Sequence, residues 1–323
     1  MIDIYTSQDG LISKSEYDYD SNQPVWVNVV DPTNQEVEEL VNKFGIEPEF
    51  IEASLDLEER SRIDDYEDQV LVIVNASIKK QSKYDESTYE TIPVGIIIKN
   101  NTILSVCRSE LDFFFRLINN RKLKINIANT ARFVTRIIYL IASSYLRALR
   151  NIDSRTEQIE ALLYKDMKKQ YLLELLNMEK TLVYFNTSLN GNEVVVKRLF
   201  RANLLQASEE DSELLEDTII EIQQAREMAL VNSQIINSIR GAFESISNNS
   251  LNIVMKALAS ITIILNIPML ITSFFGMNVK FPEVVSTSLE FLSILCVVMC
   301  VITFIIYKIM KKKDMLWKLQ NNK

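Results

Sequence analysis

The side chains in this sequence best suited to chemistry are neutral oxygen donors, not catalytic pairs. The stretch FFGMNVKFP, 274–282, places Gly276, Met277 and Asn278 in the short loop between two long apolar runs. An asparagine amide oxygen is an uncharged acceptor, able to receive hydrogen bonds from water already bound to a cation. A ring of such groups would suit Mg²⁺, which prefers oxygen ligands and gives up its water reluctantly. A carboxylate ring would hold the ion more tightly. Gly276 permits a backbone conformation that ends the preceding helix close to an axis. Read by themselves, the three residues are equally a helix stop followed by a turn.

What is missing narrows the field. There is no histidine, so the commonest general base and the commonest transition-metal ligand are both absent. The chain has six glycines and no GxGxxG or Walker pattern, which leaves no nucleotide loop. Its three cysteines, Cys107, Cys296 and Cys300, make no disulfide framework and read as small apolar packing residues. A formal charge of −8 argues against nucleic acid as a partner. That charge is uneven: acidic residues dominate the first two-thirds, whereas the C-terminus reads KIMKKKDMLWKLQNNK. Nothing suggests an enzyme.

Two uncharged apolar runs, 257–275 and 291–307, are each long enough to cross a hydrocarbon core as a helix. Lys308, Lys311, Lys312 and Lys313 follow the second, and the positive-inside rule puts that end in the cytoplasm. Two spans return the N-terminal part to the cytoplasm as well. That part begins MIDIYTSQDG, without the features of a signal peptide. The expectation is a multi-pass protein of the cell membrane with both termini cytoplasmic and the 276–290 loop outside.

Before the membrane, VWVNVV (25–30), VLVIVNASI (70–78), VGIIIKN (94–100) and TILSVC (102–107) read as strands. PTNQEVEELVNKFGI (32–46) has helical spacing, with Val37, Leu40, Val41 and Phe44 on one face and Gly45 as its stop. Residues 1–125 therefore read as an α/β domain with a mixed or antiparallel-containing sheet. From about residue 129 the pattern is helical: one helix over roughly 129–165, a second over 168–206, and a third opening at SEED, 208–211. Ser208 can cap that third helix, and its carboxylates oppose the positive end of the helix dipole. No proline follows until Pro268, so the third helix continues into the membrane as far as 275, roughly 100 Å at 1.5 Å per residue.

Two stripes run along it. Ile222, Ala225, Ala229, Asn232, Ile236, Ile239, Phe243 and Ile246 alternate spacings of three and four, a heptad seam for packing helix on helix. One step round the helix, Gln234, Ser238, Gly241, Ser245, Asn248, Asn252, Met255, Ala259, Thr262, Asn266, Met269 and Ser273 keep the same alternation. This stripe has small or polar uncharged residues at most of its positions and carries on to the edge of Gly276. Such residues can serve as interhelical hydrogen-bonding glue. Their persistence on both sides of the membrane boundary favours the lining of a water-filled axis. Two spans cannot enclose a pore, so several copies must assemble with this helix innermost.

These features resemble the CorA family of divalent-cation channels: FFGMN (274–278) at the end of the penultimate span, MKAL (255–258) at its start, a second span, and a lysine-rich tail. The chain departs in having Phe275 where the family usually has tyrosine, and in carrying Phe281, Pro282 and Glu283 one residue nearer the motif than the usual Met-Pro-Glu. The resemblance implies an α+β cytoplasmic domain, a very long stalk helix and two transmembrane helices, all-α in the membrane, assembled as a homopentameric funnel in the lipid bilayer. The domains would be the funnel domain, 1–125; a helical hairpin on the stalk, 126–207; the stalk and first span, 208–275; the GMN loop, 276–290; the second span, 291–307; and the basic tail, 308–323. It implies Mg²⁺ uptake, with Co²⁺ and Ni²⁺ often tolerated, and Asn278 as the selectivity ring. Asn252, Met255, Leu258, Asn266 and Met269 fall at family pore-lining positions, and Lys311, Lys312 and Lys313 at a basic neck. In EEDSELLED (209–217), Asp217, or Glu216 in the neighbouring register, falls where the family binds regulatory Mg²⁺; the partner carboxylate is open, with Asp64, Asp65 and Asp68 among the candidates. Two other functions remain: transport of Zn²⁺ or another transition metal by the same architecture, and a non-conducting, membrane-anchored sensor.

Overall fold

A computed structural model describes residues 1–8, 11–15, 23–80, 88–119, 125–166, 168–202, 205, 208–277 and 289–312. By contacts the chain divides into two units, Met1–Ile239 and Arg240–Lys323.

The first unit is built on one seven-stranded sheet. In chain order the strands are β1 (Ile2–Gln8), β2 (Leu11–Lys14), β3 (Val25–Val30), β4 (Arg62–Tyr66), β5 (Gln69–Lys79), β6 (Tyr89–Lys99) and β7 (Thr102–Cys107). The spatial order is β2-β1-β3-β7-β6-β5-β4, antiparallel at every pairing except β3 with β7. Between β3 and β4 lie α1 (Asn34–Phe44) and α2 (Pro48–Leu55); after β7 come α3 (Asp112–Asn119), α4 (Thr130–Lys165) and α5 (Lys169–Ala202).

The middle strands are buried on both faces, so they read as continuous apolar runs without alternation. Their period of two is nevertheless strict. Val25, Val27 and Val29 join Leu40, Phe50 and Ile51 of α1 and α2 in one core. Trp26 points the other way, within 5.4 Å of Phe114 of α3 and Phe133 of α4 by ring centroids. Its indole N–H donates to Ser105 Oγ at 2.9 Å, and Ser105 donates in turn to Asn28 Oδ1 at 2.8 Å. A buried polar chain is thereby satisfied, as burial requires.

α1 opens with a capping box between Thr33 and Glu36 and ends at Gly45, which adopts φ 63° and donates its N–H to Val41. The expected glycine stop is thus a left-handed cap. Near β4 the sheet edge is closed by a side chain. β4 begins at Arg62 opposite Ile73, which leaves Asn75 of β5 without a strand partner on that side. Asn192 of α5 takes the vacant place: its Oδ1 accepts the Asn75 N–H at 2.9 Å and its Nδ2 donates to the Asn75 carbonyl at 2.8 Å.

The long helix α6 runs unbroken from Glu209 to Phe275, through Pro268. The expected heptad seam is its packed face as far as the unit boundary: Ile222, Ala225, Ala229, Asn232 and Ile236 are all buried. Asn232 donates to the Leu149 carbonyl of α4 at 3.2 Å, and Ser143 of α4 donates to Glu221 at 2.9 Å. Beyond Ile236 the seam opens to exposure at Ile246.

The second unit holds the rest of α6 and α7 (Leu289–Lys312). These two helices are long and apolar enough to cross a membrane, and only 6% of each apolar window is buried.

Two outcomes differ from expectation. Strands β1, β2 and β4 and helices α2 and α3 had not been expected. β4, RIDDY, buries only Ile63 and gives almost no apolar signal. The helix expected over 168–206 spans Lys169–Ala202; residues 203, 204, 206 and 207 lie outside the described residues.

Candidate functional site

Successive residues of a helix turn by 100°, so the exposure of each stripe can be read against its direction. In the membrane part of α6 the least exposed residues are Ala257, Ser260, Ile264, Ile267, Pro268, Ile271 and Phe275; Ser260 is fully buried. The centre of that face lies about 150° round the helix from the centre of the polar stripe. Asn252, Met255, Ala259, Thr262, Asn266, Met269 and Ser273 are all exposed, as is Leu258 beside them. In the upper part, Gln234, Ser238, Gly241, Ser245 and Asn248 are exposed too. A single chain therefore presents an uninterrupted, mostly polar, uncharged strip along α6. Two of the hydroxyls in it are turned to their own helix: Ser238 donates to the Gln234 carbonyl at 2.9 Å and Thr262 to the Leu258 carbonyl at 2.8 Å. Each keeps acceptor lone pairs outward.

At the end of the strip the helix closes without a left-handed turn. Gly276 donates to Thr272 at 2.9 Å and Met277 to Phe274 at 3.4 Å, a tightening of the last turn. Among the described residues only Gly45 is a glycine with positive φ, so Gly276 does not use the freedom expected of it there. A side chain at 276 would instead stand 3.3 Å from the Thr272 carbonyl. Met277 is exposed; Asn278 lies outside the described residues. Of the basic neck, Lys312 is exposed at the end of α7, Lys311 is placed by its backbone, and Lys313 lies outside the described residues.

The acidic run at the start of α6 resolves into two kinds of carboxylate. Asp211 is buried and structural. It accepts hydrogen bonds from the Ser208 hydroxyl at 2.7 Å, the Ser208 N–H at 3.2 Å and Asn129 Nδ2 at 3.1 Å, tying the start of α6 to the start of α4. Glu213, Glu216 and Asp217 are exposed. Of the candidate partners, Asp64 pairs with Arg62, Asp68 lies 3.6 Å from Lys99 Nζ, and Asp65 is exposed. Among the described residues no three Asp, Glu, Cys or His side chains converge to hold a metal within one chain.

Sequence reasoning missed Glu193, whose side chain is 5% exposed between α5 and α6. It receives Arg226 at 2.7 Å and Gln223 at 2.8 Å from α6, and Lys197 at 2.5 Å from its own helix. The only trace in the sequence is the Glu193/Lys197 spacing of four, one such pair among many. Burial alone would raise its pKa, but the Gln223 and Lys197 hydrogen bonds and the Arg226 charge outweigh it and hold the carboxyl below its ordinary value. Asp211 is held below its own in the same way, by Ser208 and Asn129 against burial.

A depressed folded-state pKa contributes stability above the unfolded value that is lost as pH falls through the folded one. Glu193→Gln is therefore expected to cost about 2 kcal/mol at pH 7, the worth of hydrogen bonds to a charged group. The difference should shrink as pH falls below about 4.5, the ordinary glutamate value. Thermal unfolding of both proteins between pH 3 and 7 checks this; parallel profiles would contradict it.

The chain is similar to known proteins over nearly its whole length. Residues 21–312 match the family described as CorA-like Mg²⁺ transporter protein. The cobalt/magnesium transport protein CorA of Methanocaldococcus jannaschii is 28% identical over 311 residues, 94% of this chain and 96% of the relative. The complete structure of that organism's CorA superposes with a TM-score of 0.85 at 26% identity, covering 96% of this chain and 97% of the other. The cytoplasmic domain of ZntB from Vibrio parahaemolyticus covers 76% of this chain and 98% of its own, with a TM-score of 0.62; at 10% identity it shows a shared fold alone. With the family matched from β3 through the long helix to the end of α7, this chain is a member of the CorA-like Mg²⁺ transporter family.

Proposed function

We propose that this protein is a Mg²⁺ uptake channel in which five copies place the mostly polar strip of α6 around a common axis. The observation that carries the reading is the strip itself. It is exposed in one chain, lies opposite the less exposed face of the same helix, and leads without a charge to Gly276 and Met277. Lipid would be a poor neighbour for Asn252, Thr262 and Asn266, whereas water and a hydrated cation suit them.

In this reading α6 and α7 are the two membrane spans, both termini lie in the cytoplasm, and the loop beginning at Gly276 lies outside. Asn278 from each copy forms a ring that accepts hydrogen bonds from water on the ion, so selection precedes dehydration. Asn252, Met255, Leu258, Ala259, Thr262, Asn266, Met269 and Ser273 line the way through. Lys311, Lys312 and Lys313 surround its cytoplasmic end. The driving force is the membrane potential: a divalent ion moving inward across 100 mV gains about 4.6 kcal/mol, twice the value for one charge. No nucleotide is required.

Regulation is assigned to Asp217, with Glu216 as its neighbour in register. Both are exposed and so available to a second copy. Opposed carboxylates across an interface repel when cytosolic Mg²⁺ is low, and a bound ion would join them and favour the closed state.

The test is Mg²⁺ influx into proteoliposomes holding an inside-negative potential, with Co²⁺, Ni²⁺ and Zn²⁺ as competitors. Influx that rises with the potential and is blocked only weakly by Zn²⁺ is the expected result. Preferred Co²⁺ uptake is the second reading, favoured by the relative from Methanocaldococcus jannaschii, a cobalt/magnesium transport protein. No influx of any ion through a folded oligomer would leave a membrane-anchored sensor.

A further inference from the structure

A cavity of about 640 Å³ opens in the first unit between the ends of β5 and β6, the start of α3 and the middle of α4. Its size falls in the range of small-ligand sites. Arg116 of α3 and Arg147 of α4 both line it, together with Ser77, Ser144 and Asn151. Other arginines of this unit have carboxylate acceptors: Arg155 grips both oxygens of Glu174 at 2.5 and 3.0 Å, and Arg226 holds Glu193, whereas Arg147 is half-buried and Arg116 exposed at the cavity rim. Arg116 and Arg147 have no such acceptor. Among the described residues neither makes an ion pair or a side-chain hydrogen bond.

Arg147 is half-buried, and burial first, then the charge of Arg116, pull its pKa down, with Asp112 offsetting only part. Three carboxylates line the cavity as well, Glu90, Glu110 and Asp112, against Lys79, Lys80 and the two arginines; Lys80 pairs with Glu90, and the lining keeps an excess of one positive charge. A half-buried guanidinium without an acceptor, with a second one beside it, gains from an anion that accepts from both.

We propose that this cavity is a binding site for a small phosphate-class oxyanion, taken by Arg147 and Arg116. The planar donors of the two guanidinium groups match phosphoryl oxygens in pairs, and Asn151, whose amide donates to the Tyr89 hydroxyl at 2.9 Å, has a second amide hydrogen for the rim. The site belongs to the first unit, and none of its lining residues comes from α6. The inference does not depend on conduction, because binding is read without flux.

The experiment is calorimetric titration of the purified full chain with inorganic phosphate and with pyrophosphate, against chloride at matched ionic strength and without divalent cations. Saturable binding of one or both is expected. Arg147→Gln should weaken it about ten- to hundredfold, the worth of a charge-assisted contact, and Arg116→Gln by a smaller factor. Arg147→Lys, which keeps the charge but not the fork, should fall between and guards against misfolding; Lys43→Gln, on α1, should bind as wild type. Absence of binding to the folded wild type overturns the proposal, as does equal binding by Arg147→Gln. If wild type binds neither anion and Arg147→Gln lowers the oligomer mass, the arginines meet carboxylates of a second copy, and the proposal again falls.

Discussion

Gly95→Ala is expected to lower the stability of the first unit by about 3 kcal/mol, the upper end for overpacking a closed core. Gly95 lies in β6 directly beneath α2. A Cβ there would stand 1.7 Å from Ser54 Oγ and 2.5 Å from Ser54 Cβ. Ser54 cannot turn aside, because it is fully buried and its hydroxyl donates to the Phe50 carbonyl at 2.7 Å. The helix must therefore lift from the sheet, and Phe50 and Ile51 would leave the shared core with it. For a unit of this size the melting temperature should drop by roughly 6–12 °C. Adding Ser54→Gly removes the colliding atoms and should restore part of the loss, less about 1 kcal/mol for glycine in a helix. Thermal unfolding of the two single variants and the double variant checks the sign. An unchanged melting temperature in Gly95→Ala would mean that α2 does not rest on β6 at this point.

Much of this arrangement was legible in the sequence because apolar patterning reports burial directly. The heptad seam from Ile222 to Ile236 was readable for that reason, and so were the middle strands, whose β-branched runs stand between polar residues. The Gly45 stop follows from local chemistry that no tertiary contact overrides. What the sequence hid is what tertiary contacts decide. β4 carries one buried residue and four exposed or half-exposed ones, so nothing in RIDDY distinguishes it from a loop until β5 lies beside it. Asn192 and Glu193 are adjacent polar residues in α5, and no spacing rule tells that one closes a sheet edge while the other is buried against α6. Asp211 belongs to the same acidic run as Asp217, yet one is enclosed by Ser208 and Asn129 and the other faces solvent. The polar strip was legible as a period, and its exposure on the side of α6 away from Ser260 needed the structure.

The second large effect expected is at Asn278, at the mouth of the proposed path. Loss of the Asn278 side chain removes from each copy the neutral acceptor proposed to hold water on the ion, and leaves the strip from Asn252 to Ser273 untouched. A hydrogen bond to a group carrying charge is worth about 1.5–3 kcal/mol, and a ring loses several at once. Even one such contact corresponds to roughly a tenfold change or more. Influx of Mg²⁺ should therefore fall by well over tenfold, or discrimination between divalent ions should change, in an oligomer that still assembles.

The most direct measurement is Mg²⁺ influx into proteoliposomes at a fixed inside-negative potential, wild type against Asn278→Ala, with oligomer mass confirmed for both. Strong influx in wild type and its loss or altered ion selectivity in the variant is the result this account predicts. Equal influx and equal selectivity in the two proteins would contradict it.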